Sequence, residues 1–188
     1  MYITGNGRFL IPIIRKSDIL NENETEEESM GKILVAYLSA SGVTARLADT
    51  LAQAVGGELH EIRPAVPYTD EDLDWNDRQS RSSREMNDRA SRPSIAGAVE
   101  DMARYDVVFI GFPIWWYEAP RIVQTFLESY DLSGKTVVPF ATSGGSGMGK
   151  TASILQKSCP AARVLPGKRM SGAASAQEVS SWVEGLNL

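Results

Sequence analysis

From residue 32 onward, apolar positions fall into short runs and helical stripes that alternate along the chain. Residues 32–38, KILVAYL, have the length and composition of a buried parallel strand. Residues 44–55 place Leu47, Ala48, Leu51, Ala52 and Val55 on one helical face, and Gly56 and Gly57 end that helix. A weaker strand is expected over 59–62. Val99, Met102 and Ala103 give 95–105 a helical spacing, which leads into the strand 107–112, VVFIGF. A helix over 121–129 follows through Ile122, Val123, Phe126 and Leu127. Then come a strand over 136–141, a helix over 150–157, a poor strand around 163–165 and a last helix over 176–185. Val179, Trp182, Val183 and Leu186 line the face of that helix.

Five strands with a helix between each pair predict an α/β domain, a doubly wound five-stranded parallel sheet covered on both faces by right-handed crossovers. Ligands of such sheets sit beyond the carboxyl ends of the strands. The loops after the first, third and fourth strands are therefore where chemistry is expected.

Residues 1–30 stand outside this pattern. Residues 21–29 are polar and glutamate-rich, with too little apolar surface to fold alone. The division expected is an N-terminal extension over 1–30, poorly ordered, and a domain over 31–188, with Met30 as a natural start. At 188 residues, 43% hydrophobic and 23% charged, the chain suits one domain of ordinary soluble composition. The net charge is −5, but residues 1–30 hold three basic and six acidic groups, leaving 16 and 18 in the rest. A near-neutral domain gives no case for nucleic acid or for a membrane surface. No apolar run reaches the roughly 18 residues of a membrane span, and the N-terminus lacks the order of a secretory signal, so a cytoplasmic location is expected. Cys159 is the single cysteine and His60 the single histidine. No intrachain disulfide or histidine-rich metal site can form, and both residues read as ordinary parts of the fold.

All three loops are unusual. The first, Ser39-Ala40-Ser41-Gly42-Val43-Thr44, surrounds a predicted helix N-terminus with hydroxyls and backbone N–H groups, which suits an anion such as a phosphate monoester. The same residues also describe a simple Ser/Thr-capped helix start. The second, Gly111-Phe112-Pro113-Ile114-Trp115-Trp116-Tyr117-Glu118-Ala119-Pro120, sets three aromatics in succession at a strand end. They call either for a flat ligand or for cover by the neighbouring 68–93 segment. The third, Thr142-Ser143-Gly144-Gly145-Ser146-Gly147-Met148-Gly149, offers backbone N–H groups to a ligand's carbonyl oxygens or ring nitrogens.

Together these motifs resemble the flavodoxin family, in order and at family-like spacing, over essentially 32–188. The first loop is similar to that family's Thr/Ser-x-Thr-Gly-x-Thr phosphate loop. The resemblance implies a sheet of order 2-1-3-4-5 and bound FMN. It assigns the phosphate to Ser39, Ser41, Gly42, Val43 and Thr44. Pro113, Ile114, Trp115 and Trp116 would lie on one side of the ring system, and Thr142, Ser143, Gly144 and Gly145 on the other. Ala40, Tyr117 and Ser146 belong to the same loops. Two features set the chain apart from electron-carrier flavodoxins: its near-neutral domain, and the long polar insertion 68–93. The insertion begins acidic, with Asp70, Glu71, Asp72, Asp74 and Asp77, and turns basic, with Arg78, Arg81, Arg84, Arg89 and Arg92. It resembles the insertion of a flavodoxin-like subgroup.

Residues 144–151, GGSGMGKT, also satisfy the G-x-x-x-x-G-K-[ST] pattern of a P-loop. No acid ends a suitable strand to hold magnesium, and too little chain follows for the rest of such a core. Two function classes then compete. One is a carrier that passes electrons between redox partner proteins through its flavin. The other is an oxidoreductase that takes hydride from NAD(P)H and reduces a quinone or another small acceptor. The arginines between 78 and 92 suit nucleotide phosphates, and equally a solvated loop with internal ion pairs. Neither class requires a side-chain nucleophile, an acid–base pair or a metal. A flavin-free binding domain on the same fold is the third class.

Overall fold

The computed structural model describes residues 32–188, so the extension expected over 1–30 lies outside the described residues. In chain order the elements are β1 (Lys32–Tyr37), α1 (Val43–Val55), β2 (Glu58–Glu61), β3 (Arg63–Pro64), α2 (Arg81–Asn87), β4 (Ile95–Ala96), β5 (Tyr105–Pro113), α3 (Arg121–Glu128), β6 (Thr136–Thr142), α4 (Thr151–Ser158), β7 (Arg163–Val164), β8 (Lys168–Arg169) and α5 (Ala176–Glu184). The main sheet runs β2-β1-β5-β6-β7, every pair parallel. This is the order 2-1-3-4-5. The poor fifth strand is two short pieces on one edge of β6: β7 pairs with Thr136 and Val137, and β8 with Phe140 and Ala141. Pro166, which has no N–H to donate, and Gly167, at φ 75°, interrupt it.

Side chains of the central strands alternate between two apolar layers. Leu34, Ala36, Val108, Ile110 and Phe112 face the layer containing Ile122, Val123, Phe126 and Leu127 of α3 and Leu155 of α4. Val35, Phe109, Val138 and Phe140 face Leu47, Ala48 and Leu51 of α1 and Val179 of α5. A Ser175–Glu178 capping box starts α5.

Gly111 in β5 sits opposite Phe140 of β6, and a Cβ there would lie 2.2–2.8 Å from three atoms of the Phe140 ring. Neither group has room to move in a close-packed sheet layer. Gly111→Ala is expected to destabilise the domain by about 2 kcal/mol, read as a lower urea midpoint at unchanged slope.

The helix expected over 95–105 does not form. Ile95 and Ala96 instead pair antiparallel with Arg63 and Pro64, Gly97 turns the chain at φ 78°, and only Met102–Arg104 make a single 3₁₀ turn. The spacing of Val99 and Met102 reflects two separate contacts with the core below α3, not a continuous helical stripe. The 68–93 insertion, expected as loop, contains α2, started by the Ser80 side chain accepting from the Ser83 N–H.

Cys159 is 5% exposed, and its thiol donates to the Leu155 carbonyl. Burial pushes the thiol up to about 11. Since only the thiolate reacts, native protein at pH 8 should react with a chromogenic disulfide reagent about 100-fold more slowly than unfolded chain, whose thiol titrates at about 8.5. The raised value favours the neutral thiol in the fold. The corresponding stability is complete below the unfolded value and is lost as pH rises through about 11. His60, on β2, has its imidazole lowered by burial and then by nearby Arg63, and its ring lies 5.8 Å from that of Phe126. Among the described residues, no helix is long and apolar enough to cross a membrane.

Candidate functional site

Parallel pairing brings the C-terminal ends of β1, β5 and β6 to one edge of the sheet. There the Leu38 N–H donates to the Gly111 carbonyl at 2.8 Å. The chain then turns through 39–42, and Gly42 begins α1 at φ 78°, a conformation that strains any residue with a Cβ. The Ser39 hydroxyl accepts from the Ala45 N–H at 3.2 Å. Gly42 brings no side chain to cap α1, and the first turn of the helix holds no acidic residue. Ala40 and Ser41 are exposed, Val43 is half-buried and Thr44 is buried. The partly positive helix start therefore faces outward beneath a hydroxyl-bearing turn.

In the second loop, the Ile114 N–H donates to the Thr142 carbonyl at 2.9 Å, extending the register in which Pro113 opposes Thr142. Trp115 and Glu118 exchange two backbone hydrogen bonds, each 3.0 Å, closing a turn with Trp116 and Tyr117 at its tip. Their φ values are 46° and 66°. Positive φ at both central residues is the signature of a type I′ turn, ordinarily made by Asn-Gly. Two bulky aromatics in the left-handed region are strained. Trp116 is 39% and Tyr117 74% exposed.

The half-buried Trp115 has a different neighbour. Its ring meets the Tyr68 ring edge-on, with centroids 5.4 Å apart. The Tyr68 hydroxyl donates to Glu85 at 2.6 Å, and Arg81 lies over the Tyr68 ring while pairing with Glu85 and donating to the Val66 carbonyl. Burial and the bond to Glu85 raise the Tyr68 phenol well above its ordinary range. Cover by the insertion thus accounts for Trp115 alone.

In the third loop, Thr142 is buried and its hydroxyl lies 2.8 Å from that of Thr44. The Ser143 hydroxyl accepts from the N–H groups of Gly145 at 3.2 Å and Ser146 at 2.8 Å, so these donors are engaged within the loop. A Cβ at Gly144, Gly145 or Gly147 would meet nothing within 4 Å. The three loops are thus hydrogen-bonded to one another, Leu38 to Gly111, Ile114 to Thr142, and Thr142 to Thr44.

Three residues beyond the sequence reading support this arrangement. A Cβ on Gly172 would come within 2.3 Å of Val43 Cγ1, so the loop after β8 packs against the start of α1. Tyr68 braces Trp115, as above. Arg121, 4% exposed, donates to Glu118 at 2.7 Å, to Gln124 at 3.2 Å and to the Met86 carbonyl at 2.8 Å, tying the aromatic loop to the insertion. Of the insertion's arginines, Arg81 is held by Glu85, and Arg92 by Glu128 through two bonds of 2.7 and 3.0 Å. Arg78, Arg84 and Arg89 are exposed.

A family model described as Flavodoxin matches residues 32–186. Among solved structures, a candidate flavoprotein from Bacteroides eggerthii is 52% identical, with a TM-score of 0.80 over 84% of this chain and 98% of that one. A second candidate flavoprotein, from Bacteroides uniformis, is 48% identical, with a TM-score of 0.74 over 82% and 98%. A flavoprotein from Lactobacillus acidophilus, solved in complex with FMN, is 24% identical with a TM-score of 0.60 over 81% and 99%, a likeness of fold alone. No curated protein matches the chain.

Proposed function

We infer that this chain, which belongs to the flavodoxin family, binds FMN at the rim formed by its three loops and moves electrons through it. The observation that carries the reading is the set of hydrogen bonds joining the hydroxyl turn, the aromatic loop and the glycine loop at one sheet edge. The residues present fit the group. The turn at 39–44 offers a helix start with no side-chain cap from Gly42 and no acidic residue in the first turn of the helix to repel a phosphate dianion. Trp116 and Tyr117 hold aromatic surface in solvent that a flat ring system would cover. The space over Gly144 and Gly145 is open.

Ser39, Ala40, Ser41, Gly42, Val43 and Thr44 would hold the phosphate. Pro113, Ile114, Trp115, Trp116 and Tyr117 would flank the ring system on one side, and Thr142, Ser143, Gly144, Gly145 and Ser146 on the other. When bound, the flavin supplies the electron chemistry. The chain's residues bind and orient it, and aromatic walls exclude water and disfavour added negative charge beside them. Membership of this family also leaves no role for residues 144–151 as a P-loop.

Two measurements test the reading. Purified protein should absorb in the blue and release FMN on denaturation, identified by chromatography. A colourless protein that takes up no added FMN would point instead to a flavin-free binding domain. Adding NADPH and a quinone to loaded protein separates the two redox classes. Steady NADPH consumption with no added reductase supports an oxidoreductase, and its absence supports a carrier serving redox partner proteins.

A further inference from the structure

A cleft of about 700 Å³ lies between α3 and α4, with Tyr117 and Gly149 on its wall and the end of the insertion alongside. Its size suits a small organic ligand. Its charge is unlike that of the rest of the chain. Arg89, Arg92, Arg121, Lys150 and Lys157 line it against only two carboxylates, Glu118 and Glu128, in a protein of net charge −5. Both carboxylates are already neutralised, Glu118 by Arg121 and Glu128 by Arg92. Among the described residues, no carboxylate forms a salt bridge with Arg89, Lys150 or Lys157.

Three further observations point to an anionic occupant. Arg121 is nearly fully buried, lines the cleft, and has an Nε with no partner. The eight-residue helices α3 and α4 both begin at this cleft, at Pro120 and Lys150, and neither start has a side-chain cap. Lys150 and Lys157 mark opposite ends of α4, about 10 Å apart along its axis, while Ile154 and Tyr117 offer apolar surface.

We propose that this cleft is a second binding site, adjoining the flavin rim at Tyr117, for a small organic molecule with two separated phosphate groups. One phosphate group sits at Lys150 and the helix starts, the other at Lys157 with Arg89. Helix N-termini and guanidinium groups suit phosphate oxygens, and two cationic centres that far apart favour a ligand whose phosphates are separated. Nicotinamide adenine dinucleotide phosphate and coenzyme A share that chemistry. NAD⁺, whose phosphates are adjacent, lacks it. The site does not depend on the flavin reading, because the cationic groups that define it belong to α3, α4 and the insertion, although Tyr117 and Gly149 of the rim loops also line it.

The test is calorimetric titration of the full-length protein, as purified, with NADP⁺, coenzyme A and NAD⁺ at low and high salt. NADP⁺ or coenzyme A should bind at least about tenfold more tightly than NAD⁺, and binding should weaken as salt rises. The tighter of the two identifies the source of the phosphates. Lys157→Glu and, separately, Arg89→Glu should each weaken that ligand about tenfold, bringing it towards NAD⁺. Both residues are exposed, and circular dichroism confirms that each variant is folded. Equal binding of all three ligands, no saturable binding, or two folded variants that bind like the parent would overturn the proposal. A colourless protein would count against the flavin reading and leave these titrations interpretable.

Discussion

Replacing Arg121 with methionine should destabilise the domain by about 3 kcal/mol, more than any surface charge change. Arg121 is 4% exposed, and its guanidinium serves three acceptors that no other donor is placed to satisfy: the Glu118 carboxylate, the Gln124 side-chain oxygen and the Met86 carbonyl. Methionine keeps the apolar stem and removes every donor. It leaves a largely buried carboxylate and a main-chain carbonyl without partners, and loss of one member of a buried pair is costly for that reason. The Arg92–Glu128 pair is the internal control. Its two side chains are 33% and 37% exposed, so Arg92→Met should change stability by no more than about 1 kcal/mol. Urea unfolding of both variants makes the comparison. An Arg121→Met midpoint as close to the parent's as that of Arg92→Met would mean that Arg121 does not pin the insertion to the aromatic loop.

That pin was invisible in the sequence, and the reason is physical. Arg121 follows Pro120 at the start of an amphipathic helix, where an arginine normally faces solvent. Its partner at residue 86 lies 35 positions away in a polar stretch. Gly172 and Tyr68 escaped for the same reason, since what each touches is decided by tertiary packing. The sheet order was legible because buried parallel strands such as 107–112 are continuous apolar runs whatever surrounds them. The site loops were legible because hydroxyl, aromatic and glycine clusters at strand ends are costly unless something uses them. The helix expected over 95–105 fails because the stripe of Val99, Met102 and Ala103 does not extend back across Gly97, whose left-handed backbone ends any helix there. The strands β3, β4 and β8, each two residues long, are too short to leave any periodicity, while β7 falls where a poor strand is expected around 163–165. The basic half of the insertion was read as one feature. It divides into arginines held by Glu85 and Glu128 and others that form no salt bridge among the described residues, a division set by which carboxylates folding brings near.

The turn at Trp116 and Tyr117 is where local preference and fold disagree most, and exchanging it for Asn-Gly should move stability and flavin binding in opposite directions. Both residues have positive φ, at about 1–2 kcal/mol each for an L-residue with a Cβ. Asn-Gly adopts this turn with little strain. At 74% exposed, Tyr117 gives the protein too little packing to offset that strain, while Trp116, at 39%, offsets much of its own. The flavin-free double variant should therefore be more stable than the flavin-free parent by about 1 kcal/mol. Flavin binding should weaken by at least about tenfold, since stacked aromatic faces contribute about 1–3 kcal/mol per ring. Thermal unfolding of the two flavin-free proteins and titration with FMN measure both quantities. Stabilisation with unchanged affinity would show that these rings do not touch the flavin. Destabilisation would show that they pack on the protein more than their exposure indicates. Only the paired result fits a strained turn kept to hold two aromatic faces at the rim where the three loops meet.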